Sequence, residues 1–182
     1  IVTKVNQVFF SVMIGISQGM QPIVSFNYGA KQYQRVKKTF GLAMRPGFVL
    51  SLIAFCMFQL IPRQIISLFG SGTEEYVQFA VAYFRIYLFC TFLNFIQPAS
   101  STFFTAIGKP QKGIFLSLTR QILFLLPLIV IFPIIWGIDG IMYAGPIADF
   151  VAAAVSVLMI SLEMRSMTRL QASAQLSAQE PQ

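Results

Sequence analysis

Long apolar runs separated by short polar, turn-forming segments fill this chain of 182 residues. Five of them, at about 5–26, 41–62, 76–106, 114–136 and 140–163, reach the length at which a helix crosses the bilayer core, which takes about 20 residues. Alternating strand-like segments of about ten residues are absent, and backbone groups in lipid must be satisfied within their own segment. The pattern therefore predicts an all-α fold, a polytopic transmembrane helix bundle. The third run is over-long and holds Pro98, so it tilts, kinks or protrudes from the bilayer. Gln21-Pro22 and the turn at Asn27-Tyr28-Gly29 close the first run. Residues 31–40 are predicted as a short interfacial helix leading into the second. Residues 166–182, ending in QASAQLSAQEPQ, read as a polar, disordered tail.

The distribution of charge orients these spans. Lys31, Arg35, Lys37, Lys38, Arg45, Lys109, Lys112, Arg165 and Arg169 fall on one side, and Lys4 and Arg63 on the other, a ratio of nine to two. Such a bias marks the cytoplasmic side, so the 27–40 loop, the 107–113 loop and the C-terminus are expected there. The multi-pass chain is accordingly expected in the inner (plasma) membrane of the cell. Five spans with the first starting outside is an odd arrangement, and the chain opens at Ile1 almost inside a span. At least one further helix is expected upstream.

Composition agrees with this class: 56% of residues are hydrophobic, 10% are charged, and mean hydropathy is +0.72. Ordinary soluble domains carry about a quarter charged residues. The net charge of +7 lies in short clusters between apolar runs rather than along one helix face, so membrane lipids, not nucleic acid, are the expected partners. Histidine is absent, which removes the commonest general base and transition-metal ligand. Cys56 and Cys90 lie within apolar spans with no partner at metal-ligand spacing, and read as packing residues. No metal site and no cofactor are expected.

Polar groups at membrane depth are costly and face a bundle interior or a wet cavity. Asp149 stands out, about nine residues into the last span and roughly 13–14 Å from its outer end. A carboxylate there either holds a proton or pairs with a cation; both a coupling role and a purely structural hydrogen bond are open. Pro146 frees backbone groups at the same depth. Arg85 and Arg120 are expected to snorkel to an interface, the alternative being a pair with Asp149 or with a carboxylate outside the chain. Glu163 and Arg165 are expected to form an interfacial pair. Gln18, Gln21, Asn94, Gln97 and Gln121 complete the polar set, with Asn94 and Gln97 on one face just before Pro98. Such amides suit a cavity for amphipathic molecules, and they equally suit hydrogen bonding between helices. Gly15 and Gly19 form a GxxxG step, expected to let a neighbouring helix approach closely.

The stretch QPIVSFNYGAKQYQRVKK from Gln21 resembles the helix-to-loop signature of the multidrug and toxic compound extrusion (MATE) transporters. Gly108-Lys109-Pro110, LSLTRQILFLLPL from Leu116 and YAGPIADF from Tyr143 are also similar to the family's later helices. The resemblance covers residues 5–165. It implies about five spans of a six-helix lobe, the C-terminal one, with residues 1–165 as the lobe and its partner N-terminal lobe elsewhere.

The resemblance further implies a cation-coupled antiporter, using H⁺ or Na⁺, that exports drug-like and often cationic xenobiotics. Asp149, Asn94, Gln97, Arg85, Arg120, Gln121, Gln18 and Gln21 are then the candidate translocation residues, and none of them is assigned a catalytic role. An exporter of lipid-linked saccharides from the same superfamily is the alternative, although only Arg85 and Arg120 could meet its pyrophosphate. A non-functional lobe fragment is another. Asp149 has no general base within reach in sequence, which argues against a membrane enzyme. No GxxxxGK[ST] loop is present, so ATP does not drive this chain directly.

Overall fold

The computed structural model describes residues 2–69, 73–137 and 139–177. These are helical almost throughout, and no strand occurs among the described residues. The elements are α1 (Val2–Gly29), α2 (Tyr33–Leu60), α3 (Pro62–Phe69), α4 (Glu74–Tyr87), a 3₁₀ turn (Thr91–Leu93), α5 (Ile96–Ala106), α6 (Pro110–Leu118), a π-helical segment (Thr119–Leu125), α7 (Leu126–Trp136) and α8 (Asp139–Ser177). Four continuous stretches among the described residues are long and apolar enough to cross a membrane: Gln7–Gly29, Tyr33–Leu60, Pro110–Trp136 and Tyr143–Ser173.

The predicted third span, 76–106, is not one rod. It breaks between Tyr87 and Ile96, where short-range bonds such as Thr91 N–H to Leu88 O (3.1 Å) and Leu93 N–H to Cys90 O (2.9 Å) replace the α ladder. Pro98 accounts for the far edge of the break, because it has no N–H for the Asn94 carbonyl and its ring crowds that position. The short interfacial helix predicted at 31–40 is likewise absent as a separate element. Its residues are the opening turns of α2, since a lone glycine at Gly41 does not end a helix. The disordered tail expected from residue 166 is instead helical through Ser177. Its Ala, Gln and Leu residues favour helix. Residues 178–182 lie outside the described residues.

Between α1 and α2 the chain reverses at Lys31, which adopts a left-handed φ of 58°. Gln32 N–H bonds Asn27 O at 2.9 Å across this turn, and the Tyr28 and Tyr33 rings meet edge to face with centroids 5.6 Å apart. Gly108 (φ 75°) plays the equivalent part between α5 and α6, where any Cβ would strain the backbone.

Three apolar clusters hold the bundle. One, at the end carrying most of the basic residues, joins Met20, Val24, Val36, Phe103, Leu116 and Met167 from α1, α2, α5, α6 and α8. A second, around Phe58, Ile66 and Leu88, fills the opposite end. Midway, Met13, Phe95 and Ala99 pack together. α7 buries none of its residues; Val130, Ile134, Ile135 and Trp136 are all exposed, the surface expected against lipid. Gly15 and Gly19 are exposed as well, with nothing of the described chain near the space their side chains would take. The GxxxG step therefore packs no helix within the described residues, and that face of α1 stands open.

Candidate functional site: a buried ion pair beside a polar cavity

Asp149 sits on α8 among Ala148, Ala152 and Ala153, and is 8% exposed. Arg120 Nε donates to its Oδ1 at 2.6 Å. The arginine reaches it from the π-helical segment, and local backbone chemistry explains that segment. Pro127 has no N–H, so the regular ladder cannot continue through it. One residue earlier, Leu126 N–H bonds Gln121 O, five residues back instead of four. The widened turn carries both Arg120 and Gln121, and such turns cluster at functional sites. Of the arrangements open to Arg120, the structure thus shows the pair with Asp149 rather than a snorkelling cation.

Beside this pair lies a cavity of about 300 Å³ between α1, α5 and the α6–π segment. Phe10, Gln97, Ser101, Ser117, Arg120 and Gln121 are among its lining residues. Ser101 Oγ donates to Gly113 O at 2.8 Å and lies 3.0 Å from Ser117 Oγ, tying α5 to α6. α6 can come this close because Gly113 carries no side chain; a Cβ there would sit 2.7 Å from Ser101 O. A larger groove of about 590 Å³ runs along α8 past Ala153, Val157 and Leu162 to Arg165. It is almost wholly apolar and offers little chemistry, so the smaller polar cavity is the better candidate site.

Gln97, Arg120 and Gln121 are therefore brought together, with Asp149 joined to them through Arg120. Asn94 is buried one turn before Gln97 and is not part of the cavity wall. Gln18 is exposed and Gln21 half-buried on α1, away from the cavity. Arg85 is exposed on α4, where its backbone carbonyl accepts from Gln59 Nε2 at 3.0 Å.

The expected Glu163–Arg165 pair does not form. Residues two apart on a helix point in different directions, and Glu163 instead binds Lys109 and Lys112, the latter at 2.8 Å. Glu163 is 4% exposed, and Lys112 also stands 5.6 Å from the centre of the Phe104 ring. The sequence carried a signal for this cluster, because two lysines three residues apart share a face. Replacing Glu163 by glutamine removes the charge that both lysines share. With the lysines partly open to solvent, a loss of about 1–2 kcal/mol is expected, read as a lower melting midpoint of the purified protein in detergent.

An apolar helical bundle with four stretches long enough to cross a membrane and a charged pair within them is, by class, a polytopic membrane protein. The chain belongs to the MATE transporter family, for the MatE family model matches residues 1–131. It is 25% identical over 148 residues to a protein named FAD transporter from Shewanella oneidensis, covering 81% of this chain and 32% of that protein. It is 27% identical over 161 residues to a Bacillus subtilis protein named Probable multidrug resistance protein YoeA, covering 85% and 34% respectively. Among solved structures, the MATE multidrug transporter DinF-BH superposes with a TM-score of 0.77 at 38% identity, over 82% of this chain and 33% of that one. An inward-facing MATE transporter of the MOP superfamily superposes with a TM-score of 0.84 at 16% identity, a likeness of fold alone, over 92% of this chain and 39% of that one. The chain spans about a third of the length of the curated relatives it matches.

Proposed function

We propose that this chain forms the C-terminal lobe of a cation-coupled antiporter exporting drug-like, often cationic compounds. The observation carrying the proposal is the Arg120–Asp149 pair, part-buried within the spans beside a cavity lined by amides and hydroxyls. A proton or Na⁺ arriving at Asp149 competes with Arg120 for the carboxylate, and the pair then opens. Because the π segment carries Arg120 while α8 carries Asp149, opening loosens one helix from another. That is a bistable element of the kind alternating access needs. The relatives' names support the drug-export side of the reading. The basic end of the bundle faces the cytoplasm of the plasma membrane by the charge rule, and the partner lobe supplies the rest of the transport path. The saccharide-lipid alternative is weaker, because Arg120 is the one cation on the cavity wall among the described residues and Arg85 lies apart from it.

The test is ethidium accumulation in efflux-deficient bacteria expressing the full-length transporter that carries this chain, with and without a proton uncoupler and with and without a Na⁺ gradient. Wild type is expected to export ethidium in a gradient-dependent way, and Asp149→Asn to lose at least about tenfold in rate at equal membrane levels. Undiminished efflux by the variant would make the pair structural and move coupling to the other lobe. The chain expressed without that lobe is expected not to transport.

A further inference from the structure

We propose that the cavity beside Arg120 is a subsite for an oxyanion, a carboxylate or phosphate carried on a transported molecule. The inference rests on the transporter reading above and extends it to the part of the substrate that this lobe binds. A guanidinium offers five N–H donors in a rigid fork. One of these, at Nε, is taken by Asp149 Oδ1, and no other hydrogen bond of Arg120 occurs among the described residues. The side chain is 24% exposed and forms part of the cavity wall. The amides of Gln97 and Gln121 also have no hydrogen-bond partner among the described residues, and both line the same cavity. Arg120 is the one charged residue among those lining residues; Asp149 is not among them. Asp149, 2.6 Å from Nε, offsets the arginine's charge, so it is the directed donors that favour an oxyanion, which would meet the remaining arginine N–H groups and two amides.

Membrane depth sharpens the argument. Gln121 is exposed and Arg120 partly so, so their free donors open onto the cavity, where at membrane depth water or a ligand has to satisfy them. The volume of about 300 Å³ lies at the small end for a ligand pocket. It suits one polar group of a larger molecule, with Phe10 at the wall to receive an apolar or aromatic body. The substrate class that follows is amphipathic, aromatic molecules bearing a carboxylate or phosphate, zwitterions included.

The test uses the full-length transporter in nanodiscs of zwitterionic lipid, with a rhodamine dye bearing a free carboxylate as probe and its methyl ester as the matched control. Fluorescence anisotropy is expected to show wild type binding the carboxylate form about tenfold more tightly than the ester, the ratio one charge-assisted pair supplies. Gln97→Leu with Gln121→Leu should reduce that preference severalfold while ester binding holds. Arg120→Gln made together with Asp149→Asn leaves no buried charge unpaired, and should abolish the preference. Equal affinity for the two dyes in wild type, no binding of either dye, or a preference that survives the paired substitution would each overturn the proposal. A further arm adds anionic phospholipid. Loss of the carboxylate preference there would assign the subsite to lipid headgroups and overturn it, and an unchanged preference supports a solute ligand. Ethidium export that fails while the dye preference holds would count against the antiporter reading and leave the subsite standing.

Discussion

Asp149→Ala is expected to destabilise the lobe by about 1–3 kcal/mol, the penalty of leaving a part-buried charge without its hydrogen-bonded partner. Arg120 donates to a carboxylate that is 8% exposed. Its guanidinium would have to find water through the adjoining cavity or pull the π-helical segment toward an interface. Arg120→Ala carries the mirror-image cost, a carboxylate left among Ala148, Ala152 and Ala153. The double alanine variant should recover much of the loss, because no charge is then buried alone. Chemical denaturation or melting of the purified protein in detergent measures all three variants. Their coupling energy is expected to lie in the range of about 0.5–3 kcal/mol typical of contacting residues, or above it. Additive losses would show that the two groups do not depend on one another.

Gly47→Ala is expected to damage the packing of α2 against Phe95. A methyl group at position 47 would lie 2.0 Å from Cε1 and 2.2 Å from Cδ1 of Phe95. Phe95 is 1% exposed and packs with Met13 and Ala99, so its ring has no free space to turn into. An alanine in mid-helix ordinarily gains about 1 kcal/mol over glycine. Here the overlap decides the sign, and a net loss of about 1–3 kcal/mol is expected. Shrinking the ring should relieve it: Gly47→Ala with Phe95→Leu should melt above Gly47→Ala alone. A single variant as stable as wild type would mean that α2 and the start of α5 do not pack this closely.

The chain's apolar runs were legible because their length, not the identity of any one residue, signals a span. Four of them became continuous helices. The fifth did not, since Pro98 announces a kink but not how many upstream residues lose the ladder. The π-helical segment was invisible to pattern reading. It has the same apolar composition as its flanks, and Pro127 alone hints at a register slip. Depth in the span singled out Asp149 and Arg120, yet their pairing was left as an alternative because helix rotation is not written in hydropathy. Glu163 was assigned to its neighbour in sequence, whereas helical geometry turns it toward two lysines, one just before α6 and one in its first turn. The glycines of α1 suggested a helix contact that the described residues do not contain.

The lysine–glutamate–lysine cluster bears on how the lobe would deform. At the basic end, Glu163 clamps the start of α6 onto α8, and five helices share one apolar cluster around it. At the other end the ion pair between Arg63 and Glu74 spans 3.4 Å with both side chains more than half exposed, so it contributes little stiffness. The two ends are thus held by different means, by charge and apolar packing together at the basic end and by the apolar cluster around Phe58 and Ile66 at the other. A change that screens or removes charge loosens the first and leaves the second.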